Sequence, residues 1–228
     1  MIGRLYYKFT NLLKSRTRFD QTGERVDISI KGEINFDHLD MYQKSHYRRY
    51  EFAVAKLKNG GNCGDFACGT GYGSIMLTKN CKQVIGIDLN YEVIRAIKKR
   101  YKRIKNVTFL KGDLLNLDIT NKLDTIISFE TIEHFTEENI SVLLRNFNNA
   151  LKPHGKIILS TPYLQERTEN AIKMGHHLTF HIDEAKIQEW LFENGFCEPK
   201  FYYQNYESHQ IETELVIKDF IICEAKKK

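Results

Sequence analysis

The chain has 228 residues, 42% hydrophobic and 28% charged, which is enough for one substantial core and too little for two ordinary domains with a linker. Three prolines and 14 glycines exclude a collagen-like or proline-rich scaffold, and 14 Phe with 12 Tyr exclude a disordered chain. The formal charge of +5 lies entirely in residues 1–60, where 12 Lys or Arg face 7 Asp or Glu. Such a segment suits phosphate, an anionic membrane surface or nucleic acid, and equally plain solubility.

No apolar run approaches the ~18 residues of a membrane span, and the start MIGRLYYKF lacks the regions of a secretory signal, so a cytoplasmic protein is expected. Five scattered cysteines (Cys63, Cys68, Cys81, Cys197 and Cys223) fit reduced thiols better than a disulfide scaffold.

Along the chain, Arg4–Phe19 could form an amphipathic helix through Leu5, Phe9, Leu12 and Leu13. Glu24–Asp37 reads as a loop or short hairpin, and helical character returns at Tyr47–Leu57. From Gly60 short apolar strands alternate with helices. The strands are Asn62–Ala67, Gln83–Asp88, Val107–Leu110, Leu123–Phe129 and Lys156–Thr161. The helices are Gly73–Thr78, Asn90–Arg103 and Thr136–Leu151, the last capped by Thr136. This alternation is the signature of βαβ units around a mainly parallel sheet. The aperiodic stretch 162–182 is expected to be a functional lid. Asp183 caps a helix to Asn194, and strands at Phe196–Gln204 and Leu215–Glu224 close the domain. The expected division is a cap or lid segment over 1–45 and a domain over 46–228.

Asp65–Gly73 reads DFACGTGYG between a strand and a helix. Gly69, Gly71 and Gly73 permit a tight turn and close approach of a ligand to backbone N–H groups. Asp88 ends the next strand, where an acid can accept hydrogen bonds from ribose hydroxyls, and Asp113 follows the third, within reach of an adenine edge. Three such positions at consecutive strand ends converge on one crevice, so an adenosine-containing ligand is expected. The absence of G-x-x-x-x-G-K-[ST] disfavours ATPase chemistry. The early third glycine and the acid Asp65 disfavour a nicotinamide dinucleotide.

These segments, with IGIDLN, FLKGDLLNL, LDTIISFETIEHF and LKPHGKIILSTP, resemble the class I S-adenosylmethionine-dependent methyltransferases over about residues 46–225. The resemblance implies an α/β, Rossmann-like fold with a seven-stranded, mostly parallel sheet, one antiparallel strand, and helices on both faces. It implies S-adenosyl-L-methionine as cofactor, with Asp65, Ala67 and Gly69 around its methionine portion and Gly71 in the turn. Asp88 would meet its ribose hydroxyls and Asp113 and Leu114 its adenine, with Leu89 a further cofactor contact. The N-terminal stretch resembles a subgroup common in bacterial surface-glycan gene sets, through Gly23-Glu24-Arg25 and the run His46-Tyr47-Arg48-Arg49-Tyr50-Glu51-Phe52-Ala53. There Arg49 could pair with the cofactor carboxylate and Tyr50 cover its apolar part, although the proline usual after the GER element is missing.

Glu130, Glu133 and His134 follow the fourth strand on the side of the methyl group. A hydroxyl acceptor must lose a proton, and His134 is the first candidate base, with Glu133, His177 and His181 as further catalytic candidates. Glu130 could instead contact the cofactor. Three histidines in His176–His181 could bind metal, but the sequence offers no fixed carboxylate partner and the spacing suits a loop, so no metal is expected. Tyr42, Tyr47, Tyr50 and Tyr163 could wall a sugar pocket, with Arg16, Arg18 or Lys44 near a phosphate. The expected reaction is methyl transfer to a hydroxyl or amine of a small molecule, a sugar or nucleotide-linked sugar in glycan assembly. A homodimer is compatible with this, and no stable nucleic acid partner is expected. The alternatives are an RNA or protein methyltransferase, or an inactive cofactor-binding subunit.

Overall fold

The structure, a computed structural model, describes residues 25–28, 36–57, 60–169 and 176–228. The amphipathic pattern of Arg4–Phe19, with Arg16 and Arg18, lies outside the described residues. Helix α1 spans Met41–Lys56 and opens with a capping box: the Asp40 carboxylate accepts from the Gln43 N–H, and the Gln43 side chain accepts from the Asp40 N–H. The helix therefore starts six residues before Tyr47, and the boundary expected after residue 45 falls inside it.

The order is then β1 (Gly61–Phe66), α2 (Tyr72–Leu77), β2 (Cys81–Asp88), α3 (Tyr91–Arg100), β3 (Val107–Lys111) and β4 (Leu123–Phe129). After these come α4 (Glu137–Ala150), β5 (Leu151–Pro162), α5 (Glu184–Glu193), β6 (Phe196–Gln204), β7 (Ile211–Glu212) and β8 (Phe220–Lys227). Side-chain caps from Asn90, Thr136 and Asp183 start α3, α4 and α5.

One sheet runs β3-β2-β1-β4-β5-β8-β6-β7. Strands β1 to β5 are parallel; β8 inserts antiparallel between β5 and β6. The sheet has eight strands rather than seven, because the two-residue β7 adds a second antiparallel edge on β6. Val216 and Ile217, read as the start of the last strand, are exposed, and β8 begins only at Phe220.

Successive strand residues enter opposite cores, as a period of two requires. Ile126, Ile157, Leu159 and Ile221 pack with α4 and α5, whereas Ile127, Ile158 and Ile222 pack with α1 and α2. Helix α3 buries Val93, Ile94 and Ile97 against Phe109. Burial on both faces explains why these strands read as continuous apolar runs.

The expectation that all the thiols are reduced is corrected: Cys63 and Cys81 form a disulfide, their Cα atoms 6.3 Å apart, because parallel pairing sets the starts of β1 and β2 side by side. Cys68 and Cys223 are buried free thiols. Among the described residues, no helix is long and apolar enough to cross a membrane.

Candidate active site

Parallel strands deliver their carboxyl ends to one edge, and a cavity of about 280 Å³ opens there. Its floor is the turn after β1. Ala67, Gly69 and Gly71 all have positive φ, and Gly71 in the left-handed region starts α2. A Cβ on Gly69 would meet nothing within 4 Å, so this turn leaves open room for a ligand. Gly73 does something else: a Cβ there would fall 2.0 Å from the Tyr50 ring, so its glycine lets α1 lie on α2.

Asp88 is buried at the cavity wall, where Oδ2 accepts from the Gly69 N–H (3.0 Å) and Oδ1 from the Asn90 N–H (2.9 Å). Leu89 beside it is 65% exposed, an apolar platform on the rim. Asp113 accepts from the Leu115 N–H and from the Asn116 side chain, so it holds the turn that sets Leu114 in the wall. Asp65 lies beneath, fully buried, accepting from Tyr50 Oη (2.9 Å) and Ser74 Oγ (2.5 Å). Burial pushes its carboxyl up to about 6 despite those two donors, with the Asp88 charge adding to the rise. Tyr50 meets Tyr72 and Phe129 edge to face. Burial and the Asp65 charge keep its phenol protonated and donating.

The opposite wall follows β4. Glu130, at φ +50, is held by Ser160, whose Oγ donates to its carboxylate and whose carbonyl accepts its N–H. A 3₁₀ turn over Ile132–His134 then presents Glu133 and His134. Glu133 is 1% exposed; Oε2 accepts from Thr161 Oγ1 (3.1 Å), while Oε1 is buried with no hydrogen-bond partner. Burial and the neighbouring Glu130 push its carboxyl well above the usual range. His134 lines the cavity, and its Nδ1 lies 2.7 Å from the His176 carbonyl. That carbonyl can only accept, so Nδ1 carries the proton and Nε2 the lone pair. The N–H groups of Leu178 and Thr179 both donate to the Glu133 carbonyl, fastening the later segment onto this turn.

Residues 64–155 match the family described as a methyltransferase domain. The chain is 28% identical over 193 residues to an uncharacterized methyltransferase of Bacillus cytotoxicus, covering 78% of this chain and 87% of that one. The matched segment is thus a methyltransferase domain, and the chain is similar to S-adenosylmethionine-dependent methyltransferases. Its fold resembles an S-adenosylmethionine-dependent methyltransferase from Mesorhizobium loti (TM-score 0.66, 15% identity, 82% of this chain and 100% of that one). It also resembles the N-methyltransferase NodS from Bradyrhizobium japonicum in complex with S-adenosyl-L-homocysteine (TM-score 0.64, 14% identity, 96% and 97%).

The fold brings most of the expected residues to one place. Tyr50, Ala67, Gly69, Asp88, Leu89, Asp113, Leu114, Glu130 and His134 line the cavity. Gly71 and Asp65 shape it from behind. Arg49 is fully buried and does not itself line the cavity, but its charge acts on Glu133, Tyr72 and His46 beside it. It bonds Gln204 (3.1 Å) and covers the Phe220 ring at 4.1 Å, leaving Nε and Nη2 without hydrogen-bond partners. His181 is a correction, since it is exposed at φ +55 with its N–H on the Gln165 carbonyl, outside the cavity. His177 stands behind His134, the rings 5.0 Å apart. Tyr163 bonds Glu184 and packs on Tyr203, away from the site.

The strap Arg25–Ile28 was not anticipated as part of the site. Arg25 Nη2 lies 3.6 Å from Asp88, the Val26 carbonyl accepts from Thr70, Arg100 grips Asp27 with both nitrogens, and Ile28 is buried. The GER element carried that signal, unread, in Arg25. His46, Cys68 and Phe135 are further lining residues, each inside a segment read above but not singled out there.

Proposed function

We propose that the protein methylates a hydroxyl or amine of a small molecule, a sugar or nucleotide-linked sugar used in glycan assembly. When bound, S-adenosylmethionine supplies an electrophilic methyl carbon on a sulfonium. This chain's residues do the rest. Asp88 would accept from the ribose hydroxyls, Leu89 and Leu114 would flank the adenine, and Asp65 would face the ammonium through the Tyr50 and Ser74 contacts. Glu133, His134 and His177 are the groups positioned to activate the acceptor. Alignment and exclusion of water are the remaining tasks.

The observation that carries the small-molecule reading is enclosure. Helix α1 lays Tyr50 and His46 over the cavity, and the segment from His176 is fastened to the turn at Glu133, so an acceptor enters a pocket rather than a groove. The glycan assignment draws on the run at His46–Ala53, which the structure sets on the helix that roofs the pocket.

The test is transfer of labelled methyl from the cofactor to panels of sugar nucleotides, free sugars, RNA and protein. Turnover confined to sugar compounds is expected. Transfer to RNA or protein alone, or none by a protein that binds S-adenosylhomocysteine, would overturn the sugar assignment.

A further inference from the structure

We infer that Glu133, His134 and His177 form a site for a first-row divalent metal ion at the acceptor end of the cavity, and that the ion takes a hydroxyl of the acceptor. This rests on the cavity being the place of methyl transfer. One donor atom from each of the three residues lies within 4.8 Å of the others. Metal bonds of about 2.0–2.2 Å set neighbouring ligands roughly 3 to 3.5 Å apart, so small rotamer changes close the set.

The imidazoles are already oriented. His134 donates Nδ1–H to the His176 carbonyl, and His177 Nδ1 lies 2.6 Å from Gln165 Oε1. Ligating histidines are oriented in this way, by one ring nitrogen donating to an oxygen. The ring planes stand at 81°, so they do not stack. The fixed carboxylate missing from the sequence pattern is Glu133. Its Oε2 is held by Thr161 and the Arg49 charge acts on it, yet its Oε1 is buried with no hydrogen-bond partner among the described residues, an arrangement that a directly bound cation would relieve.

The donor set limits the ion. Two imidazoles and one carboxylate suit Mn, Fe, Co or Zn rather than the all-oxygen shells of calcium and magnesium. Three protein ligands leave positions open, unlike a closed structural site with four. His134 is the ligand that lines the cavity, so the open positions face the acceptor. A cation there lowers the pKa of a coordinated hydroxyl, as it does for water, from about 16 towards 7. In the transfer the oxygen lone pair forms the O–CH₃ bond, the C–S pair returns to sulfur and the hydroxyl proton passes to water. A hydroxyl acceptor is thereby favoured over an amine.

The test uses tag-free, chelator-treated protein titrated with Co²⁺ and followed by visible d–d absorption. Binding of S-adenosylhomocysteine is measured by calorimetry on the same samples. One saturable cobalt site is expected. His177→Ala should weaken it by about 10–100-fold or more while cofactor binding is retained, and the exposed His154→Ala should change neither. Absence of a saturable site, or equal affinity in His177→Ala, overturns the metal site and leaves the methyltransferase reading intact if S-adenosylhomocysteine still binds. Loss of both cobalt and S-adenosylhomocysteine binding by the unaltered protein overturns both.

Discussion

The two walls of the cavity are built on different terms. On the cofactor wall, Asp65, Asp88 and Asp113 each have both oxygens in use by neighbouring donors of this chain. Those donors stand within 19 residues in sequence, mostly in the turns that follow β1, β2 and β3. On the acceptor wall the contacts span longer distances: His134 to His176 over 42 residues, Thr161 to Glu133 over 28. Here a buried polar atom, Glu133 Oε1, also lacks a hydrogen-bond partner among the described residues. A wall that satisfies its own carboxylates is preorganised around a constant ligand. A wall that leaves an acceptor unsatisfied carries a cost of desolvation until something else meets it.

Removing the ring that faces the acceptor tests this contrast most strongly. His134→Ala should lower methyl transfer by about 10²-fold or more, whether the ring takes a proton or holds a cation. Binding of S-adenosylhomocysteine, measured by calorimetry, should stay close to the unaltered value, since the ring belongs to the other wall. Near-normal turnover would reduce His134 to a packing role and erase the distinction. The complementary change is Asp88→Ala. It strips a partner from the Gly69 and Asn90 N–H groups and removes the acceptor for the ribose, so cofactor affinity should fall by about 1–3 kcal/mol. Unchanged affinity would take Asp88 out of the binding site.

The same contrast explains what was legible in the sequence. Leu123–Phe129 and Phe196–Gln204 were bounded correctly, because a strand buried on one or both faces shows in composition alone. The cavity wall at the ends of β1, β2 and β3 was legible because each piece sits at a strand end, in order, beside its own glycine or acid. The partners of Arg49 were not legible, because no spacing says that Phe220 and Gln204 will receive its guanidinium. The metal-like set escaped because its carboxylate and second histidine come from segments about 44 residues apart, joined by tertiary bonds of Leu178 and Thr179 to Glu133, His134 to His176 and Thr179 to Phe135. Leu215–Ile217 misled in the other direction: apolar side chains suggested a strand where only Leu215 packs on the core and Val216 and Ile217 are exposed in a loop.

A pH titration gives the smallest and most selective effect. Asp65 sits in a fully buried pocket with Tyr50 and Ser74 donating to it and Asp88 nearby, and its pKa stands at about 6. Its ordinary value of 3.8 applies in the unfolded chain. As pH rises from about 4 to 6 the unfolded carboxyl ionises while the folded one keeps its proton, so this group lowers the stability of the free protein across that window. Cofactor binding should run the opposite way. An ammonium facing Asp65 requires the carboxylate, so affinity for S-adenosylhomocysteine should be flat from pH 7.5 to about 6.5. Below about 6 it should weaken, approaching tenfold per pH unit. Asp65→Asn should bind less tightly at pH 7 and lose that slope, because the amide does not titrate. Calorimetry at several pH values reads both quantities. A profile that stays level down to pH 5 in the unaltered protein would mean that the cofactor ammonium does not engage Asp65, and that this acid serves only to anchor Tyr50 and Ser74 beneath the glycine turn.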